Sequence, residues 1–380
     1  MLRELQTKEG FTASAVDTDN YHRVWGRDGV VVGLAALGTG DEELIATFKK
    51  TLKTLKKYQD RTGRIPSNVS LDGENVSYGT TVGRIDSTIW FVIGVCEYYF
   101  KTEDAKFIAE FKSSIEKALF YLECLELNGR GLLYIPGGGD WADEYINEGY
   151  VLFDQALYAL AIRYHNKIFK SAEQSEKYRH LLNLIKINYF PHKEYIDSPY
   201  VYHKKIYERS CEKYKAPLPL TSFGPFSVVG THDLFALALI LNLPICNEKM
   251  RKKMEKEIEL GFKEDFPILP AFSPIIDEKY PLWKSLKRNH LYNFKNKPYE
   301  FHNGGLWPMV YGFYLASKTK ITKKEMLEFS EILKKDDYTF PEFYHGKLHT
   351  PLGTSRLGFS AAGFLIAYYA YMNKTKPFNI

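Results

Sequence analysis

Cysteine is scarce: four occur among 380 residues, Cys96, Cys124, Cys211 and Cys246. They form no CxxC or Cys/His spacing, which excludes a structural zinc module and a disulfide framework and fits a reducing compartment. Long apolar runs are missing too, none reaching the roughly 18 residues a membrane helix needs. The opening segment, Met1 to Gln6, is charged and lacks a hydrophobic signal core. These absences predict a cytoplasmic protein with no membrane partner. Blocks of like charge are absent as well; the net charge of +5 comes from Lys scattered among Glu and Asp. That argues against a nucleic-acid partner. Repeated Val/Ile-rich strands are lacking, which disfavours a layered α/β fold. With no short repeat, low-complexity tract or linker, we expect one domain over residues 1–380.

What the chain does have is aromatic residues and helical periodicity. Its 28 Tyr, 25 Phe and 5 Trp suit either a large packed core or a surface for flat, hydroxylated ligands. Segments apolar on all sides run over Gly29–Leu37, Ser87–Phe100, Tyr150–Tyr164, His232–Leu243, Leu306–Ala316 and Arg356–Met372. Between them lie amphipathic segments: Glu42–Tyr58, Asp104–Leu125, Ala172–Ile187, Asn247–Phe262 and Lys323–Lys335. Alternation of buried and half-exposed helices predicts an all-α fold, a closed (α/α)6 toroid of helical hairpins. The connections Arg61–Gly83, Asn188–Pro225 and Lys263–Phe301 read as irregular, and a short hairpin is expected at Arg130–Pro136.

In such a ring the loops entering the inner helices meet at one end, and the unusual residues fall there. Tyr21-His22-Arg23-Val24-Trp25-Gly26-Arg27-Asp28 leads into the first inner helix. Gly83-Arg84-Ile85-Asp86-Ser87, with Trp90, leads into the second. Gly137-Gly138-Gly139-Asp140-Trp141-Ala142-Asp143-Glu144 precedes the third, and Gly230-Thr231-His232-Asp233 the fourth. Phe301-His302-Asn303-Gly304-Gly305-Leu306-Trp307-Pro308 precedes the fifth, and Phe340-Pro341-Glu342-Phe343-Tyr344 comes before the last. Each has an ordinary alternative. Asp28 and Asp86 could be N-caps, Arg27 and Arg84 could pair with neighbouring acids, and the glycine loop could be a helix start dressed with acids that suit the dipole. His302 could be a satisfied core histidine, Trp307-Pro308 helix-start packing, and Glu342 a solvated acid. All six loops being loaded at once favours a site. Acids paired with Arg and bracketed by indoles are what a carbohydrate ligand needs: polar groups for the hydroxyls, aromatic faces for the C–H face.

These residues resemble a known group. From about Ala13 onward the chain is similar to the glucoamylase, glycogen-debranching amylo-α-1,6-glucosidase and neutral invertase group of (α/α)6 glycoside hydrolases. Trp25-Gly26-Arg27-Asp28 resembles the entry segment whose Arg-Asp pair holds the sugar. Gly83-Arg84 with Asp86 and Trp90 resembles the second-loop motif of the debranching and invertase branches. His302-Asn303-Gly304-Gly305 with Trp307-Pro308 is similar to their His-Asn-Gly-Gly-x-Trp-Pro element. Pro341-Glu342-Phe343-Tyr344 is similar to the invertase segment whose Glu is the general base, and Phe359-Ser360-Ala361-Ala362-Gly363 to a run of the last inner helix. Trp141-Ala142-Asp143 matches the debranching Trp-x-Asp general acid. The chain departs from glucoamylases in having Ala142 where they place a Glu, and from the other branches in having Phe153 and Asp154 near where they carry one.

The resemblance implies an inverting glycoside hydrolase with Glu342 as base and Asp143 as acid, Asp140 standing as the alternative acid. Asp140, Glu144 and burial against Trp141 should raise the proton affinity of Asp143. Trp25, Arg27, Asp28, Arg84, Asp86, Trp141, Glu144, His302, Asn303, Trp307 and Tyr344 should contact the sugar. No metal or cofactor is required by acid/base chemistry. An α-glucoside, as an oligosaccharide or glycogen-like chain end, is the first expectation, with sucrose as the alternative. The chain starts almost at the first motif, which favours a small soluble substrate over insoluble starch, or else a partner that supplies the missing surface. A silent glycan-binding toroid, or a sugar lyase or isomerase using His232, His302 or Tyr344, are the rivals. Oligomeric state is open.

Overall fold

The computed structural model describes residues 1–262, 266–373 and 378. Thirteen α-helices lie among them: α1 (Asp28–Thr39), α2 (Glu42–Lys57), α3 (Asp86–Thr102), α4 (Ala105–Cys124), α5 (Leu152–Phe169), α6 (Ala172–Tyr189), α7 (Lys204–Lys213), α8 (Leu234–Ile240), α9 (Glu248–Phe262), α10 (Trp283–Arg288), α11 (Pro308–Ser317), α12 (Lys323–Lys335) and α13 (Gly358–Asn373). The helices apolar on all sides are α1, α3, α5, α8, α11 and α13. Each packs on the next in that order, and α13 packs back on α1. That closes the ring: the fold is an all-α (α/α)6 toroid.

The outer layer holds α2, α4, α6, α9 and α12, whose apolar stripes face the ring while Lys and Glu face water. Their starts are capped by side chains: Asp41 accepts from Glu43 N and Leu44 N, and Thr322 with Glu325 forms a capping box. Between α13 and α1 the outer position is taken by a single 3-10 turn, Leu2–Leu5, seated on α13. The inner helices α11 and α13 cross so closely that a Cβ on Gly312 would lie 2.0 Å from the Gly363 carbonyl oxygen. Only glycine admits that approach.

Two connections expected to be irregular contain short helices, α7 and α10, whose mostly polar sequences hold few apolar residues to mark a buried face. The hairpin expected at Arg130–Pro136 is not formed; Ile135 makes only an isolated bridge to Gly149. Small antiparallel pairings sit instead where loops meet: Val24–Trp25 with Asn68–Val69 and Val76–Ser77, and Phe343–Tyr344 with Pro351–Leu352. No helix among the described residues is long and apolar enough to cross a membrane.

Candidate active site

The loops at the entry ends of the inner helices enclose a cavity of about 210 Å³. Trp25, Arg27, Asp28, Arg84, Trp141, Asp143, His302, Trp307 and Glu342 all line it, although they come from five different loops. Asp28 and Asp86 are the first residues of α1 and α3, and neither caps its helix, so the capping alternative does not account for them. Asp86 is fully buried and receives Arg27 Nη1 at 2.9 Å, while Arg27 Nε lies 3.5 Å from Asp28 Oδ2. Burial works against the Arg27 charge, but Asp86, Asp28 and Asp143 more than offset it, so the guanidinium stays cationic. Burial raises the proton affinity of Asp28 against the opposing pull of Arg27.

Arg84 organises the glycine loop. Its Nη1 donates to the carbonyls of Gly138 at 2.8 Å and Asp140 at 3.1 Å, and it pairs with the carboxylate of Asp143. Asp143 is thus held at the cavity wall with about a third of its side chain exposed (34%). The carboxyl that burial drives upward in this loop is Asp140, to about 8, with Asp233 and Asp86 adding to the effect. Asp140 is fully buried behind the cavity wall, accepting from Ala142 N at 3.1 Å and Asn147 Nδ2 at 2.7 Å.

On the facing side Glu342 is 8% exposed. Its Oε1 accepts from the Tyr21 hydroxyl at 2.9 Å and its Oε2 from Thr354 N at 3.2 Å. Burial raises its proton affinity; the Thr354 and Tyr21 hydrogen bonds and Lys295 pull it down. Gly353, at φ +73°, lies so near that a Cβ there would sit 2.4 Å from Glu342 Oε2. Tyr21 is half-buried; desolvation and the neighbouring Glu342, Asp28 and Asp143 raise its own affinity for its proton and keep it a donor.

Aromatic faces complete the wall. His302 stacks on Trp307 (5.2 Å, 9°), and Trp141 meets both edge-on, at 5.0 Å from His302 and 5.8 Å from Trp307. Trp141 Nε1 donates to Asp233, which also caps α8, so the indole is fixed from behind.

Five residues expected at the ligand lie elsewhere. Asp86 and Asp140 are buried behind Arg27 and the loop backbone. Glu144 points away, accepting from Leu291 N at 3.3 Å. Asn303 is a buried pin, exchanging hydrogen bonds of 2.8 Å with both backbone groups of Ile276. Tyr344 is buried against Phe266. Their loop positions were legible; which side of the loop each faces was not. Sequence reasoning missed Tyr21, Lys295 and Phe359 on the cavity wall, and Asn296 just behind it. Tyr21 stood inside a quoted motif and was a signal not taken. Asn296, in a polar connection without periodicity, gave none. Among the described residues no group of His, Cys, Asp and Glu could hold a metal ion.

A closed six-hairpin ring with its loaded loops at one end defines the fold of the (α/α)6 glycosidases. The particular likenesses are more distant. No family model matches the chain. It is 26% identical over 383 residues to an uncharacterized glycosyl hydrolase of Methanocaldococcus jannaschii, an alignment covering 98% of this chain and 54% of that protein. The chain thus spans about half the length of that curated relative. Among solved structures it superposes on a bacterial glucoamylase complexed with acarbose (TM-score 0.61, 16% identity, 97% of this chain and 53% of that one). It also superposes on a GH63 mannosylglycerate hydrolase from Thermus thermophilus (TM-score 0.65, 13% identity, 96% and 97%). At those identities the structures speak to the fold alone.

Proposed function

We propose that the chain is a glycoside hydrolase that removes one sugar unit by inversion, with Asp143 as general acid and Glu342 as general base. The observation that carries this reading is that both carboxyls line one cavity, with the Arg27–Asp28 pair beside them and three indoles around them. The cavity is small, about 210 Å³, and the reading takes one sugar unit held in it at a time. The cleavage then takes a terminal unit.

Glu342 accepts a proton from the attacking water, and the Tyr21 hydroxyl and Thr354 N hold its two oxygens in place. Asp143 delivers a proton to the leaving oxygen. A carboxylate paired with Arg84 has no proton to give, so before that step Arg84 must withdraw and Asp143 must take up a proton from solvent. Asp140 retains a proton near neutrality but has no route to the cavity, which favours Asp143. Arg27, Asp28 and His302 bind the hydroxyls, and Trp25, Trp141 and Trp307 exclude water and stack on the ring. Inversion requires a carboxyl separation of roughly 6.5–9.5 Å once substrate is bound.

For substrate the reading takes an α-glucoside, an oligosaccharide or glycogen-like chain end. The test is a panel of maltose, isomaltose, panose, trehalose and sucrose, with proton NMR of the first anomer released. A β-anomer from an α-glucoside is expected. Retention of configuration, or unchanged hydrolysis by both D143N and E342Q, would sink the assignment; no hydrolysis of any substrate, with glycan binding intact in both variants, would leave the silent toroid standing.

A further inference from the structure

His302 is 1% exposed and lines the cavity. Its Nδ1 lies 3.1 Å from the backbone carbonyl oxygen of Asp143. A carbonyl cannot donate, so Nδ1 must carry the ring's proton. A second proton is opposed first by burial and then by the Arg27 and Arg84 charges, although Asp143 pulls the other way; the balance lowers the ring to about 3. Nε2 is left with a bare lone pair, and the hydrogen bonds of the ring among the described residues are made at Nδ1 alone.

A flip of the ring would put Cδ2 where Nδ1 stands and forfeit the hydrogen bond to the Asp143 carbonyl. Trp307 lies parallel to one face and Trp141 stands edge-on. The His302 backbone N donates to Asn296 Oδ1 at 3.1 Å. Asn296 Nδ2 in turn donates to the carbonyls of Glu144 at 3.0 Å and Asp143 at 3.4 Å. The acid loop and the histidine loop are therefore clamped together at Asp143, and the clamp fixes the tautomer.

We propose that His302 is a fixed-tautomer hydrogen-bond acceptor that selects a ligand bearing a free hydroxyl donor at this point of the cavity. This rests on the reading of the cavity as a sugar site, and it specifies what that site discriminates. The neighbouring arginines only donate, so a hydroxyl between them and Nε2 accepts from the cation and donates to the ring. A sugar lacking that hydroxyl, or carrying an ether or fluorine in its place, leaves the lone pair without a partner. Buried polar sites reject such analogues strongly.

The experiment uses the full chain labelled with ring ¹⁵N histidine, the His302 signals assigned by their loss in H302Q. Probes are methyl α-D-glucopyranoside, methyl α-D-mannopyranoside and sucrose, with binding followed by calorimetry. Between about pH 5 and pH 8 the expected result is a protonated Nδ1 and a bare Nε2, the latter alone shifting when a probe binds. For a probe that binds, one deoxy position should weaken affinity about tenfold, and the fluoro analogue there should weaken it equally. Both losses should vanish in H302F. A protonated Nε2, an unmoved Nε2 at saturation, or a fluoro analogue that binds like the parent overturns this inference and leaves the glycosidase reading intact. Failure of every probe to bind overturns the sugar reading and this inference together.

Discussion

Glu342 and Asp143 face the same cavity but are held differently, and the difference is measurable. E342Q and D143N should each lower kcat by about a hundred- to ten-thousand-fold, the usual worth of a positioned acid or base, with folding unchanged by circular dichroism. Tyr21→Phe tests the grip on the base. Its hydroxyl hydrogen bond lowers the proton affinity of Glu342, so removing it should lower kcat about tenfold and move the acidic limb of the pH–rate profile to higher pH. An unmoved limb would mean that the contact does not govern the base. Asp140 belongs to stability. Its folded pKa of about 8 stands above the ordinary aspartate value of 3.8, so the folded chain binds the extra proton between those values. Stability from this group is then present at lower pH and lost as pH rises toward 8. Buried His302 and His165 and half-buried His232, all lowered, act in the opposite sense only below about pH 6.5. The window from about pH 6.5 to pH 8 should therefore show a falling Tm by calorimetry, and D140N should make the fall shallower, the part that remains coming from the other buried carboxyls raised by burial, Asp154, Asp233 and Glu97.

At the scale of elements, alternation of all-apolar and amphipathic helices was legible because burial on all sides and burial on one side leave different residue patterns. α12 begins and ends at the residues its pattern predicts, Lys323 and Lys335. α7 and α10 were hidden because short, polar helices owe their form to what they pack on. The loops carrying Arg27, Arg84, Asp143, His302 and Glu342 were legible from composition, but side-chain direction was not. Asp86 and Asn303 face inward because buried helix and loop backbone lie behind them, information that no local pattern holds. Glycine contacts supply a test at this scale. Gly353→Ala combines a positive φ with a clash on Glu342 Oε2, so kcat should fall while the cost in stability stays near ~1 kcal/mol. Gly312→Ala meets the backbone of α13 instead, so urea unfolding should show a loss of about 1–3 kcal/mol or more.

Across the whole molecule, the ring closes by packing α13 on α1, helices at opposite ends of the chain. The sequence implied a ring because six inner segments need mutual burial, though nothing local said how the outer position between the last and first hairpins is filled. A 3-10 turn, Leu2–Leu5, does so, with Leu5 against Gly358 and Val32 beneath. Contacts so distant in sequence form late, because loop-closure entropy opposes them until the intervening hairpins are in place. The hydrogen bond from Tyr21 to Glu342 spans this same seam, joining residues 321 apart. Activity, on the proposed assignment, then certifies a finished chain: one arrested a hairpin short would hold the acid loop and both arginines, and have no base.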